Sequence, residues 1–347
     1  MKRSESVCHS TQHAARGLRR AFSLIELMIV LVVLITLIAI FTPVLRGARN
    51  ASRRVATLQL INNIQAASSA FELDSRRLPG AFTPSQMGAA SNATRGFSNM
   101  QNILAELSGG IVASGTPSAR RIAVGPAATG TILLDLDLIN APVETKGVVK
   151  NVYYTIDKKY WVSHAGAGQK APGTLAEHVT LPDVVDSFSN PLLVWVEDTD
   201  AAPGDPFASI ASSTRAKFYW NGNAVFLRAT SLGGGAKDQT DSFEGSLLAT
   251  AAQMEVQSSM HGLLGNPAFP AAQATPNSQV FPAAARGKFV FHSAGADGIY
   301  LGRRDRGGLI AAAPSSSNPF HLRDVVDYSG RLDPMDNFDD IITSGGN

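Results

Sequence analysis

The sequence predicts an α+β protein: one long N-terminal α-helix packed on an antiparallel β-sheet, with large loop and helix insertions. Three observations lead there. An apolar run from Leu27 to Phe41 contains no charged residue and passes into a segment with helical apolar spacing. Downstream, short apolar segments of period two are separated by Gly, Pro, Asn and Asp, the signature of short strands and turns. The only cysteine is Cys8, so a domain built on the later residues has no disulfide, thiol nucleophile or cysteine metal ligand and depends on its core.

The first element runs from Phe22 to about Arg76. Phe22 to Leu45 is long enough, as a helix, to cross a bilayer, and Pro43 near its outer end would loosen it. Beyond it, Val55, Leu58, Ile61, Ile64, Ala67 and Phe71 define one face, while Arg53, Arg54, Gln59, Asn62 and Asn63 occupy much of the rest. Leu78-Pro79-Gly80 stops the helix. The chain therefore divides into 1–21, a basic leader; 22–45, a transmembrane helix; 46–77, its amphipathic continuation; and 78–347, a globular region.

Ser98 to Leu107 reads as a helix closed by Gly109-Gly110. Thr131 to Leu138 alternates leucine or isoleucine with aspartate and reads as a strand, although Leu133 breaks the pattern. Asn151 to Ile156 and Lys159 to Ser163 form a predicted hairpin around Asp157-Lys158. Leu192 to Glu197 is a predicted strand. Lys217 to Trp220 and Ala224 to Arg228 form a second predicted hairpin, turned at Asn221-Gly222. Ser242 to Met260 reads as a helix, Leu264 to Gly287 as an irregular Pro/Ala/Gly-rich loop, and Lys288 to His292 as the last strand.

The charge balance, 30 basic against 28 acidic residues, supplies no basic field for nucleic acid. Signals for catalysis are weak. His164, His178, His261, His292 and His321 show no His-Glu-x-x-His spacing, no Gly-x-Ser-x-Gly elbow or P-loop occurs, and Gly233-Gly234-Gly235 lacks the spacing of a phosphate loop. The sequence reads as a non-enzyme.

One acid stands out. Glu26 lies at the start of the apolar run, in Arg19-Arg20-Ala21-Phe22-Ser23-Leu24-Ile25-Glu26. A carboxylate in hydrocarbon costs roughly 2.5–3.5 kcal/mol even on a permissive insertion scale, so a functional partner is the default expectation. This arrangement resembles the processing signal of type IV prepilins and type II secretion pseudopilins: a basic leader ending in a small residue, then phenylalanine, then glutamate as fifth residue of the mature chain. The resemblance implies cleavage between Ala21 and Phe22 by a prepilin peptidase, N-methylation of Phe22, and a role for Glu26 in assembly with other pilin or pseudopilin subunits at an inner-membrane platform. Loss of the leader, with five basic residues and one acid, would leave 25 basic against 27 acidic, a net of −2. Two competing readings are an uncleaved anchor and an ordinary secretory signal. The second would place the cut after the apolar segment, where Gly47-Ala48-Arg49-Asn50-Ala51 is a poor site. The prepilin-type signal implies a single-pass inner-membrane protein with residues 78–347 outside, before incorporation into a fibre.

Three later segments resemble the major pseudopilin of type II secretion. Asp186-Ser187-Phe188-Ser189-Asn190-Pro191 resembles its Asp-Pro-Trp-Gly-x-Pro turn, with Ser187, Phe188 and Ser189 in place of proline, tryptophan and glycine. Phe291-His292-Ser293-Ala294-Gly295-Ala296-Asp297-Gly298 resembles its Ser-x-Gly-x-Asp-Gly loop, and Asn337-Phe338-Asp339-Asp340-Ile341 its closing Asp-Asp-Ile. The resemblance implies calcium held by Asp297, Asp339 and Asp340, with carbonyls from Ser293 or the glycine-rich turn. Closing such a site requires Ile299 to Met335 to loop out. Calcium takes six to eight oxygen ligands, which this residue set suits. The bland alternative is a solvated acidic tail, with Asp333 and Asp336 in it, and an ordinary Asp297-Gly298 turn. The resemblance implies a structural subunit of a secretion pseudopilus. A type IV pilus subunit is the close alternative, and a pilin-stem-anchored enzyme or binding module the alternative of another class.

Overall fold

A computed structural model describes residues 24–112, 115–140, 152–163, 181–202, 205–210, 215–229, 284–302 and 339–346, with positions 232, 246, 248–249, 260 and 263–265. The helices are α1 Leu24–Ser75, α2 Pro84–Met87, α3 Asn92–Arg95, α4 Asn99–Leu107, α5 Leu136–Asn140 and α6 Ala224–Leu227. The strands are β1 Ile111–Val112, β2 Arg121–Val124, β3 Ile132–Asp135, β4 Trp161–Ser163, β5 Pro182–Val184, β6 Leu193–Val196, β7 Ala208–Ser209, β8 Phe218–Tyr219, β9 Phe289–Ser293 and β10 Ile341–Gly345. The molecule is α+β, and the chain divides into two compact units at Ala51/Ser52.

In the first unit, α1 is long and apolar enough to cross a membrane, a property that an anchor and a signal sequence share. Every described side chain from Leu24 to Ala51 is exposed. Both hydroxyls of the apolar stretch bond back to the helix: Thr36 Oγ1 donates to the Val33 carbonyl at 2.8 Å and Thr42 Oγ1 to that of Ile38 at 2.7 Å. A side chain that satisfies its hydrogen in this way can face hydrocarbon without an orphaned donor. Pro43 lies within the helix without ending it.

In the second unit, the rest of α1 buries Thr57, Leu60, Ile61, Ile64, Ala67, Ser68 and Phe71. The predicted face is shifted, because Val55 remains 66% exposed and burial begins at Thr57. This face packs on a three-stranded antiparallel sheet of order β10-β9-β6, together with Met100, Ile103, Leu104 and Leu107 of α4. Burial of each large apolar side chain here stabilises the fold by roughly 1.5–3 kcal/mol. The sheet's register alternates Val194, Val196, Phe289 and Phe291 toward α1. Leu193, Trp195 and Val290 face a second core holding Trp220, Phe226, Tyr300 and Leu301. The sheet is thus covered on both faces. Helix α4 starts as predicted, with a capping box: Ser98 Oγ accepts from Gln101 N–H, and Gln101 Oε1 accepts from Ser98 N–H.

Several predicted elements differ. The strand over Thr131 to Leu138 ends at Asp135, whose Oδ1 accepts from the N–H groups of Asp137 and Leu138 and opens α5 instead. The hairpin around Asp157-Lys158 does not form. Lys158–Tyr160 is a 3-10 turn, and β4 pairs with the distant β5. The hairpin turned at Asn221-Gly222 is also absent: β8 pairs in parallel with β7, while Trp220–Asn223 and α6 are helical. Gly222 is needed there for close approach, since a Cβ would lie 2.5 Å from Asn99 Oδ1. The helix predicted at Ser242 to Met260 falls mostly outside the described residues, as does most of the loop from Leu264 to Gly287.

Candidate functional site

The three segments singled out in the sequence meet at one end of the β10-β9-β6 sheet. Strand β9 carries His292 and Ser293 and runs directly into the Gly295 turn, while β10 begins one residue after Asp340. Their antiparallel register, Ile341 opposite Ser293, brings Asp339 and Asp340 beside the loop from Ala294 to Gly298. Ligand oxygens of Asp297, Asp339 and Asp340 lie within 4.8 Å of one another.

The turn is fixed by its own backbone. Asp339 Oδ2 accepts from the N–H groups of Ala296 at 2.6 Å and Asp297 at 2.8 Å. Asp297 Oδ1 accepts from Ile299 N–H at 2.7 Å. Gly295 has φ +62°, and a Cβ there would lie 2.4 Å from the Asp339 carbonyl oxygen. Glycine is required on both counts. The Asp186–Pro191 turn buttresses this loop. Asn190 Nδ2 donates to the Gly295 carbonyl at 2.9 Å, and Ser293 Oγ donates to Asp186 Oδ2 at 2.6 Å. Asp186 Oδ1 accepts from the N–H groups of Phe188 and Asn190. Ser189, standing where the resembled turn has glycine, has φ +68°.

Helix α1 reaches the same place through its second-unit residues. Arg54 Nη1 donates to the Asp339 carbonyl at 3.5 Å, Thr57 Oγ1 accepts from Ser187 N–H, and the Arg53 guanidinium lies 5.7 Å from the Phe188 ring centre.

Among the described acids Asp340 is the most deeply placed, 1% exposed. Its Oδ2 accepts from Leu301 N–H at 2.6 Å and lies 2.7 Å from His292 Nε2. Burial pushes its carboxyl well above the usual range, and the neighbouring Asp339 and Asp186 add to this, while the Leu301 N–H and Arg54 oppose it. Burial also pushes the His292 imidazole down to about 3. Burial therefore favours the uncharged form of the pair, a protonated acid beside a neutral imidazole, and a cation would supply the charge that opposes this.

Two carboxylate oxygens, Oδ1 of Asp339 and Oδ1 of Asp340, are buried without a hydrogen-bond partner. Unpartnered buried acceptors from adjacent acids suit a hard cation. Asp297, Asp339 and Asp340 could hold a metal ion, which would supply the charge that ionises Asp340. Of the carbonyl sources predicted, that of Gly295 is engaged by Asn190.

Sequence reasoning reached the three acids and the supporting turn, but not the pairing of His292 with Asp340, nor Leu301 or Arg54. His292 adjoins the flagged loop and was legible as part of it. The Leu301 N–H and the Arg54 contact have no local sequence signal. Ala21, Phe22, Asp333 and Asp336 lie outside the described residues. Glu26 is in the first turn of α1 and exposed.

A second concavity, a cleft of about 730 Å³, opens where α1 ends, lined by Glu72, Arg76, Arg77, Asn102, Glu106 and Lys288 among others. Its charges largely pair with one another: Arg77 forks onto Glu106, which also accepts from Gly80 N–H, and Lys288 Nζ lies 2.8 Å from Glu72 Oε1.

No protein-family model matches the chain, and neither a curated protein nor a solved structure gives a significant match.

Proposed function

We propose that the chain is a structural, fibre-forming pilin-like subunit of the inner membrane, acting in a type II secretion pseudopilus. The observation that carries this reading is Glu26 in the first turn of a helix that has no other charge before Arg46, four residues after the Phe22 of Arg19-Arg20-Ala21-Phe22. Cleavage between Ala21 and Phe22 by a prepilin peptidase frees an amine. In the fibre, apolar stems pack together, and the Glu26 carboxylate of one subunit pairs with the methylated Phe22 amine of its neighbour. That pairing neutralises both charges in an apolar setting and sets the register between subunits.

Convergence of the Asp186–Pro191 turn, the Gly295 loop and the Asp339-Asp340-Ile341 ending supports a pseudopilin over a type IV pilus subunit. Asp339 and Asp340 lie beside the Gly295 loop although 299–335 stand between the two segments in the sequence. Calcium at Asp297, Asp339 and Asp340 belongs to the same reading. Its role is to fix the cysteine-free globular unit, because an ion that binds only the folded chain stabilises it by mass action.

Glu26→Ala tests the assembly step. The variant is expected to be cleaved normally and to form few or no fibres when subunits are sheared from cells and imaged. Fibres in normal number from Glu26→Ala would sink the pairing.

A further inference from the structure

We infer that Arg46 and Arg49 form a binding site for the phosphate groups of anionic phospholipid at the outer face of the membrane. The inference rests on the membrane reading of α1. The apolar segment Leu24 to Leu45 spans 22 residues, about 33 Å at 1.5 Å per residue, against a hydrocarbon core of about 30 Å. When it spans the core, the next residue, Arg46, stands at headgroup level. Arg49 is three residues further on and shares its face of the helix.

From Leu27 to Phe71 the chain has four arginines, at 46, 49, 53 and 54, and no acid. The later two are engaged by protein, Arg53 over the Phe188 ring and Arg54 at the Asp339 carbonyl. Arg46 and Arg49 are exposed and have no acidic partner among the described residues. Two planar guanidiniums on one face, each able to fork onto a phosphate, match an anionic headgroup better than a zwitterionic one. The same contact would set the depth of the unassembled subunit and would have to be given up on entry into the fibre.

The test uses the full chain reconstituted in phosphatidylcholine vesicles carrying a trace of spin-labelled phosphatidylglycerol or spin-labelled phosphatidylcholine. The fraction of each label immobilised by protein is read by electron paramagnetic resonance. The expected result is several-fold preferential association of phosphatidylglycerol, weakened by salt. Arg46→Gln with Arg49→Gln should at least halve the preference, and Arg46→Lys with Arg49→Lys, which keeps the charge but loses the fork, should fall between this variant and the parent. Equal association of both labels, or an unchanged preference in the glutamine variant, overturns the lipid site and leaves the membrane reading standing. Immobilisation of neither label overturns the membrane reading and the lipid site together. A glutamine variant that keeps its lipid preference but loses cross-linking to other copies assigns the arginines to a neighbouring subunit instead.

Discussion

The two ends of α1 solve different problems with the same backbone. From Leu24 to Leu45, every side chain is exposed and nearly every one is apolar. From Thr57 to Phe71, apolar side chains occupy one face, and Leu60, Ile61, Ile64 and Phe71 are buried in a core. A helix apolar all round needs an apolar surrounding, from lipid or from other copies; a helix with one apolar stripe needs only one packed layer. The comparison teaches that the second stretch contributes to the stability of the globular unit, whereas the first buries none of its described side chains.

The largest expected effect separates these roles. Ile61→Ala opens a cavity in the second-unit core, where Ile61 is fully buried, and should cost about 2–5 kcal/mol. Ile35→Ala, in the exposed apolar stretch, should change the stability of the globular unit by less than about 0.5 kcal/mol. Denaturant unfolding of both variants in the same detergent measures this, and equal losses would break the comparison.

Calcium sharpens it next. Ion at a hundredfold excess over its dissociation constant should stabilise the globular unit by about 2.7 kcal/mol, seen as a raised Tm with the helicity of the apolar stretch unchanged. Asp340→Asn or Asp339→Asn should remove the calcium response. An unchanged response in both would mean that these acids do not hold the ion.

The pH dependence follows from the same pair. In the ion-free folded state, Asp340, with its raised pKa, keeps one proton, and His292, lowered to about 3, stays neutral. The unfolded chain also carries one proton on this pair between about pH 4 and 6.5, now on histidine. The pair therefore contributes no slope in that window. Above about 6.5 the unfolded histidine is neutral, and for as long as folded Asp340 holds its proton stability falls as pH rises toward its raised pKa. Below about 4, the unfolded pair takes up its second proton and stability falls as pH falls. With calcium bound, folded Asp340 is ionised; the loss above 6.5 disappears, and stability instead declines below about 6.5. Tm against pH, with calcium and with chelator, should show the optimum moving upward when the ion is present.

The smallest effect is Ser189→Gly. A non-glycine residue at φ +68° is strained, so relief should raise stability by up to about 1 kcal/mol, offset in part by the greater freedom of glycine in the unfolded chain. A loss of stability would show that the Ser189 side chain contributes more than its strain removes.

The parts that local pattern controls were legible. Helix α1 follows from its apolar spacing and its stop at Leu78-Pro79-Gly80, and α4 from the Ser98 cap and the closing glycines. Strands β6 and β9 follow from dense apolar runs. The sheet's edge strand β10 was not read, because only its pairing with β9 makes a strand of Ile341–Gly345. Both predicted hairpins failed where tertiary contacts outweighed turn signals. Trp161–Ser163 finds its partner in Pro182–Val184, and Trp220 to Leu227 is wholly buried, so alternation has no exposed side to reveal. In the candidate site, Asp297, Asp339 and Asp340 were legible as a set. The buried His292–Asp340 pair and the Leu301 N–H depend on long-range packing, which no short motif encodes.

The most direct measurement is the intact mass of the protein taken from its own membranes, with and without the prepilin peptidase. The proposed function requires a mature chain that starts at N-methylated Phe22 and is lost when the peptidase is absent. A full-length chain in both cases, or a cut after Leu45, would contradict it.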